Sequence, residues 1–132
     1  MTDTKDMQSE ANTHYASRFD DEMVALLARA DAEDEDASLE LDTYPLCVQL
    51  ESVNVMRGEC TWSILLGTGG PADRVLVTTD YEGNIDGTPT YQFQDWFQPW
   101  TDAEDQDEAL VARFAAHFYF GQVKVTLDGN EA

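Results

Sequence analysis

Four short segments of strand-type sequence between residues 44 and 96 constrain the fold of this chain more than any other feature. In the first segment, Leu46, Val48 and Leu50 alternate with more polar neighbours, the period-two pattern of a half-buried strand. Short loops containing glycine or proline separate the segments. This order predicts an antiparallel meander sheet with strands near 44–51, 61–66, 74–81 and 90–96.

The densest aromatic segment of the chain is 90–101, which places five aromatic residues in twelve positions. Aromatic side chains bury large apolar areas, so this segment is expected to supply much of the core. Pro99 is the predicted end of the fourth strand, because proline has no N–H for a sheet ladder.

Helix-start signals follow this strand. Thr101 and Glu104 fit the S/T-x-x-E capping box, with Thr101 as the predicted cap. Apolar residues then recur at helical spacing and predict a C-terminal helix ending near Gly121: Leu110, Val111, Phe114, Ala115 and Phe118. Residues 122–127 are a candidate fifth strand.

The N-terminal third is expected to contain one helix between two polar segments. Apolar residues at spacings of three and four predict a helix over 13–30 that docks on the sheet. Residues 1–12 lack periodicity and are expected to be flexible, and 31–42 are expected to be an acidic linker, because like charges repel. With sheet and helix in 43–132, the prediction is one α+β domain with a four- or five-stranded meander and a helix at each end.

The chain carries 27 acidic and 7 basic residues, a formal net charge of −20. Nucleic acids and membrane surfaces are anionic, so direct binding to either is disfavoured. Residues 1–42 hold 13 acids and 3 bases, a net charge of −10, whereas 43–100 and 101–132 each hold 7 acids and 2 bases, a net charge of −5. This uneven distribution favours a dedicated surface for a basic partner over a general adaptation to salt.

The sequence favours neither export nor catalysis. No apolar run reaches about 18 residues and the N-terminus lacks a signal-peptide pattern, so a cytoplasmic location is expected. Cys47 and Cys60 are expected to be buried thiols, and neither His14 nor His117 is tied to them by a local motif. We therefore predict no catalytic residues and no cofactor.

A calcium loop beginning at Asp80 is also excluded by its sequence. The loop would require glycine at position 6 and glutamate at position 12, where this chain has Ile85 and Tyr91. We therefore predict no metal site.

Two acidic clusters are the candidate partner-binding residues. The first acidic cluster is Asp31, Glu33, Asp34, Glu35 and Asp36, and the second acidic cluster is Asp102, Glu104, Asp105, Asp107 and Glu108. Helix positions rise about 1.5 Å each, and duplex DNA carries one charge per roughly 1.7 Å. If the second cluster lies on the first turns of a helix, its carboxylates can imitate DNA in the basic groove of another protein.

Three motifs give the chain a resemblance to other sequences. They are T-G-G-P-A at 68–72, Q-D-W-x-x-P-W-T at 94–101 and F-Y-F-G at 118–121. This pattern resembles one in small uncharacterised phage and prophage proteins. The resemblance implies a mobile-element origin, but it implies no activity and no functional residue.

These observations lead to two hypotheses about function. The first is an acidic phage or mobile-element inhibitor of a host defence system, either restriction or CRISPR, that acts by DNA mimicry on a Lys/Arg-rich groove. The alternative is a non-catalytic structural or accessory phage protein, or a halophile-adapted acidic domain. Acidic phage proteins of this size include inhibitors of both defence systems, an analogy that supports the first.

Overall fold

The computed structural model describes residues 4–68, 71–95, 98–104 and 106–123. It confirms the predicted α+β class, with helices packed on one face of an antiparallel sheet. The helical elements are α1 (Thr4–Tyr15), the π-helix π1 (Ala16–Met23), α2 (Val24–Asp31), α3 (Glu35–Thr43) and α4 (Glu108–Ala116). The strands are β1 (Cys47–Asn54), β2 (Glu59–Gly67), β3 (Pro71–Thr79), β4 (Thr90–Asp95) and β5 (Thr101–Asp102).

The five strands form a meander in the order β1-β2-β3-β4-β5, and each pairs antiparallel with the next. The fifth strand is Thr101–Asp102, which pairs with β4, and not the predicted 122–127. Residues 122 and 123 have no strand assignment, and 124–127 lie outside the described residues.

The core lies between the sheet and the helical layer. Tyr91 and Phe93 of β4 are buried, which confirms the core role predicted for the start of the aromatic segment. The Phe19 ring packs edge-on against Tyr91 at 5.7 Å and against Phe114 of α4 at 5.6 Å. Such aromatic pairs contribute about 0.5–1.5 kcal/mol beyond their burial. Phe19 therefore joins α4 and β4 through the centre of the domain.

The prediction that residues 1–12 are flexible is wrong for the described part, because α1 begins at Thr4. Met7 and Ala11 are buried and extend the apolar series through Tyr15, Phe19 and Met23 in steps of four residues. On an α-helix each such step drifts about 40° around the axis. A π-helix has more residues per turn, so π1 offsets this drift and keeps the apolar series on the sheet.

The acidic linker predicted at 31–42 is also wrong, because most of it is helix α3. The Asp34 side chain caps this helix by accepting hydrogen bonds from the backbone N–H groups of Asp36 and Ala37. Ala37 and Leu41 are buried four residues apart and attach α3 to the core. The dense charge of this segment occupies only the side that faces away from them.

The C-terminal helix begins later than predicted. Thr101 lies in β5 and does not cap α4, which begins seven residues later at Glu108. Its cap is Asp107, whose Oδ1 accepts a hydrogen bond from the backbone N–H of Leu110 at 3.1 Å. The backbone of Thr101 continues the sheet, and this pairing outweighs the local capping signal.

Strand β1 is more exposed than its alternating pattern predicts. Leu46, directly before β1, and Leu50 within it are 59% and 42% exposed, and Cys47, expected to be buried, is exposed as well. The helices contact β3, β4 and β5, so this end of the sheet has less cover. Cys60 is buried as predicted.

Among the described helices, none has both the length and the apolar composition needed to cross a bilayer.

Candidate functional site

The candidate site is an acidic surface on the helical layer, here called the acidic layer and defined as residues 7–43. It has eleven acidic residues; Asp34 is half-buried and the other ten are exposed. The exposed ten are Glu10, Asp20, Asp21, Glu22, Asp31, Glu33, Glu35, Asp36, Glu40 and Asp42. The elements α1, π1 and α2 contain 12, 8 and 8 residues without a break, 28 in total. At 1.5 Å per residue they form a rod about 40 Å long.

Both arginines of the acidic layer are engaged by carboxylates of the protein. Arg29 lies 3.2 Å from Asp34 and 3.7 Å from Glu40, and Arg18 is turned toward the sheet. The surface of this layer is therefore predominantly negative, and its exposed carboxylates outnumber the nearby guanidinium groups several-fold.

The first acidic cluster is brought together at the corner between α2 and α3. Asp31 at the end of α2 forms an ion pair with Arg113 of α4. Hydrogen bonds from the Ala37 backbone and from Arg29 hold the pKa of Asp34 below its usual value. Glu33, Glu35 and Asp36 are exposed at this corner. Asp31 and Asp34 thus stabilise the corner, and the other three members have no side-chain partner among the described contacts.

The second acidic cluster does not lie on one helical face, so its predicted spacing is wrong. Asp102 belongs to β5 and accepts a hydrogen bond from Gln92, whereas Glu104 lies in a turn. Asp107 is the cap of α4 and Glu108 is its first residue; Asp105 lies outside the described residues. The carboxylates therefore follow a bent segment and not a helix.

This bent segment is nevertheless attached to α1. Gln8 donates a hydrogen bond to the carbonyl of Asp102 at 2.7 Å. The Glu104 N–H donates to Asn12 at 2.7 Å, and the Asp107 N–H donates to the Tyr15 hydroxyl at the same distance. The second acidic cluster consequently lies beside the N-terminal part of the acidic layer.

Sequence reasoning missed the acidic residues of the long helical rod and the end of α3. They are Glu10, Asp20, Asp21, Glu22, Glu40 and Asp42, all exposed. The steps of four residues from Met7 to Met23 were the available signal, because they predict that one side of the rod is apolar. The acidic residues between those positions are then placed on the outer side.

A buried ionic network holds the rod against the sheet. Arg18 Nε and Nη2 lie 2.6 Å and 3.1 Å from Oδ2 and Oδ1 of Asp73 on β3, a bidentate pair. Tyr91 donates a hydrogen bond to Asp73 Oδ2 at 2.8 Å, and the Asp73 side chain is 6% exposed. Burial lowers the pKa of Arg18, but hydrogen bonds to Asp73 and Tyr44 and the Asp73 charge outweigh it and raise that pKa above its usual value.

Gly67 at the end of β2 leaves the space that this network needs. A Cβ at this position would lie 2.8 Å from Asp73 Oδ1 and 2.9 Å from Arg18 Nη2. Because both atoms belong to the ion pair, any side chain at Gly67 would push the pair apart. The network therefore depends on π1, β2, β3 and β4 at once.

A shallow groove of about 350 Å³ interrupts the acidic layer between α2, α3 and α4. Its apolar lining includes Leu27, Ala30 and Leu41. The Asp31–Arg113 ion pair lies at this groove, as does the contact of 2.7 Å between Asp42 Oδ1 and His117 Nε2. The groove is thus a small apolar surface that lies beside charged groups.

No protein-family model, curated protein or solved structure matches the chain. The resemblance to phage and prophage proteins therefore remains a prediction from the three motifs.

Proposed function

We propose that this protein is a non-catalytic inhibitor that places its acidic layer in the basic groove of a nucleic-acid-binding protein, where the layer imitates DNA. The proposal rests on the ten exposed carboxylates of a helical layer that the Arg18–Asp73 ion pair holds on the sheet. The partner is a Lys/Arg-rich surface, and the interaction requires no cofactor.

The acidic layer carries its charge on two adjoining parts. Five of the ten exposed carboxylates lie on the rod of about 40 Å, one per about 8 Å, and the other five lie on the α2–α3 corner and on α3, which packs against α2. One DNA strand carries one phosphate per about 3.4 Å, so both parts together are needed to approach the charge density of a strand. The buried Arg18–Asp73 pair and the aromatic contacts of Phe19 hold the rod in place. A charged surface that is already ordered loses little conformational entropy when it binds.

The mobile-element origin that the three motifs predict supports the choice of partner class. A mobile element meets host defence nucleases, and both restriction and CRISPR enzymes hold DNA in basic grooves. We therefore propose a host defence nuclease as the partner and the cytoplasm as the compartment of action. Contact residues are expected in both acidic clusters and along the outer side of the rod.

Displacement by DNA tests this proposal directly. Proteins from a host lysate are captured on the immobilised chain and challenged at constant ionic strength with duplex DNA. Because mimic and DNA would compete for one groove, we expect the DNA to release the partner, which mass spectrometry then identifies. Polyglutamate at equal charge is the control, since it is anionic without the geometry of DNA. A partner that stays bound under excess duplex, or that both polymers release equally, would contradict the proposal.

The alternative is an accessory protein whose acidity is a general adaptation to salt, and exposed acids outside the acidic layer, such as Glu82 and Asp86, favour it. A halophilic chain of net charge −20 would fold only in molar salt, because its self-repulsion must be screened. We expect instead a cooperative melting transition at 0.1 M salt, since the core is continuous and apolar. Melting curves at about 0.1 M and 2 M NaCl, followed by circular dichroism, distinguish the two. An unfolded chain at low salt would favour the alternative.

A further inference from the structure

The shallow groove between α2, α3 and α4 continues into a second depression at the α2–α3 corner. The groove has a volume of about 350 Å³ and the second depression one of about 700 Å³, and both are lined by Ala30 and Ser38. The second depression is also lined by Glu33, Glu35 and Leu39. Because they share two lining residues, the two depressions form one concave surface, here called the helical cleft, that extends from Ala116 on α4 to Leu39 on α3.

Apolar side chains line the helical cleft along its length. Leu27 and Leu41 are buried beneath the groove, and Ala30 is half-buried where the two depressions meet. Leu39 is 62% exposed at one end of the cleft, and Ala116 is exposed at the other. A concave surface that leaves apolar side chains in water is typical of a protein-binding site, because a partner can remove that surface from water.

The basic groups of the helical cleft are engaged by carboxylates of the protein. Arg113 forms an ion pair with Asp31, and His117 Nε2 lies 2.7 Å from Asp42 Oδ1. These two contacts fasten the C-terminal end of α4 to α2 and to α3. The helical cleft is therefore formed before a partner binds, which lowers the entropic cost of binding.

The remaining charge of the helical cleft is negative. Glu33 and Glu35 line it, are exposed and have no ion pair among the described contacts. A complementary occupant therefore presents Lys or Arg side chains next to apolar ones. A second copy of this chain is not such an occupant, because its net charge of −20 repels the same charge on the first copy.

The helices around the cleft also determine the conformation of the occupant. Their backbone N–H and C=O groups are bonded within each helix, so the cleft offers an extended chain no row of free partners of the kind that a sheet edge offers. An occupant that enters as a helix satisfies its own backbone hydrogen bonds. The cleft therefore fits a helix with apolar residues on one face and basic residues on the rest.

We propose that the helical cleft binds a basic amphipathic helix of the partner protein, with its apolar face on the cleft and its Lys and Arg side chains toward Glu33 and Glu35. The inference rests on the proposed function, which supplies a Lys/Arg-rich partner. It adds an apolar contact to the charge contacts of the acidic layer, and screening by salt does not weaken that apolar contact.

Two synthetic peptides of equal composition test the inference without the partner. Each is a fluorescein-labelled peptide of leucine and lysine with about 15 residues, a length at which an isolated helix begins to be stable. In the first peptide the leucines recur at spacings of three and four and lie on one face, whereas in the control peptide they are distributed around the helix. Fluorescence anisotropy with the whole chain should show that the first peptide binds roughly tenfold more tightly, because its leucines can enter the cleft together.

Two uncharged substitutions locate the peptide on the protein. Leu39→Gln removes the exposed leucine at one end of the helical cleft, and Ala116→Gln places a longer polar side chain at the other. Both positions are exposed, so both variants should keep the fold, and each is expected to remove most of the preference for the first peptide. Val55→Gln, at a position 55% exposed between β1 and β2, is the matched control and should keep the preference.

Equal binding of the two peptides, or a preference that both Leu39→Gln and Ala116→Gln leave intact, would overturn the inference. The chain alone is expected to be monomeric in sedimentation equilibrium. A dimer that Leu39→Gln dissociates would instead assign the helical cleft to a second copy and would also overturn the inference.

These outcomes are distinguishable from a failure of the proposed function. A partner that duplex DNA releases, together with equal binding of the two peptides, overturns only the role of the helical cleft. A partner that DNA does not release, together with a clear preference for the first peptide, contradicts only the DNA mimicry.

Discussion

Replacing Asp73 by Asn is expected to lower the free energy of unfolding by about 3 kcal/mol, the largest effect of any single substitution considered. The change keeps the shape of the side chain and removes the charge that faces Arg18. Arg18 then stays within the network, partly buried and without its bidentate carboxylate partner. The 30% exposure of the Arg18 side chain places the expected value at the lower end of the range for buried pairs.

Urea unfolding followed by tryptophan fluorescence measures this effect. Tyr91→Phe removes only the hydroxyl that donates to Asp73, so it is expected to lower the free energy of unfolding by about 1 kcal/mol. Asp86→Asn, at an exposed loop position, is the control and should change it little. If Asp73→Asn unfolds at the same urea concentration as the wild type, the network does not hold the rod on the sheet.

Neutralising three acids of the acidic layer is expected to weaken partner binding on the order of 100-fold, the largest functional effect that we predict. The variant combines Asp20→Asn, Glu33→Gln and Glu35→Gln, three exposed side chains with neither a cap nor an ion pair among the described contacts. If each carboxylate loses about 1 kcal/mol of attraction to a basic groove, three together lose about 3 kcal/mol. Binding should also become less sensitive to salt, because fewer charge pairs form.

The matched control removes the same charge elsewhere. Glu59→Gln, Glu82→Gln and Asp86→Asn also replace two glutamates and one aspartate, but all three lie outside the acidic layer. Isothermal titration calorimetry against the DNA-displaced partner compares the two triple variants. Equal weakening by both would mean that net charge, and not the acidic layer, drives binding, and would contradict the proposed function.

The strands were predictable because their signals are local. Alternating or β-branched segments and glycine-containing turns lie within a few residues of one another, and β2, β3 and β4 form close to where the pattern places them. Gly58 in the β1–β2 turn has a φ of +67°, a left-handed conformation that glycine adopts without steric strain. The capping signal at Thr101 was equally local and failed, because pairing of Thr101 with Phe93 extends the sheet.

The acidic residues were predictable as a charge but not as a surface. The sequence places a net charge of −10 in residues 1–42, but the first acidic cluster was interpreted there as a linker. A charged segment forms a helix when a few of its apolar residues can pack against a hydrophobic core. Ala37 and Leu41 do so against the helical layer, and this contact is a property of the packed molecule.

The sequence by itself determined the α+β class, the meander, the aromatic centre of the core and the strong negative charge, because composition and short-range periodicity encode all four. Only the tertiary structure decided which side of each element is covered. It pairs Arg18 with Asp73 across 55 positions of the chain, collects ten carboxylates on one helical layer and leaves the β1 edge exposed. These outcomes depend on contacts between distant segments, whose geometry no local pattern specifies.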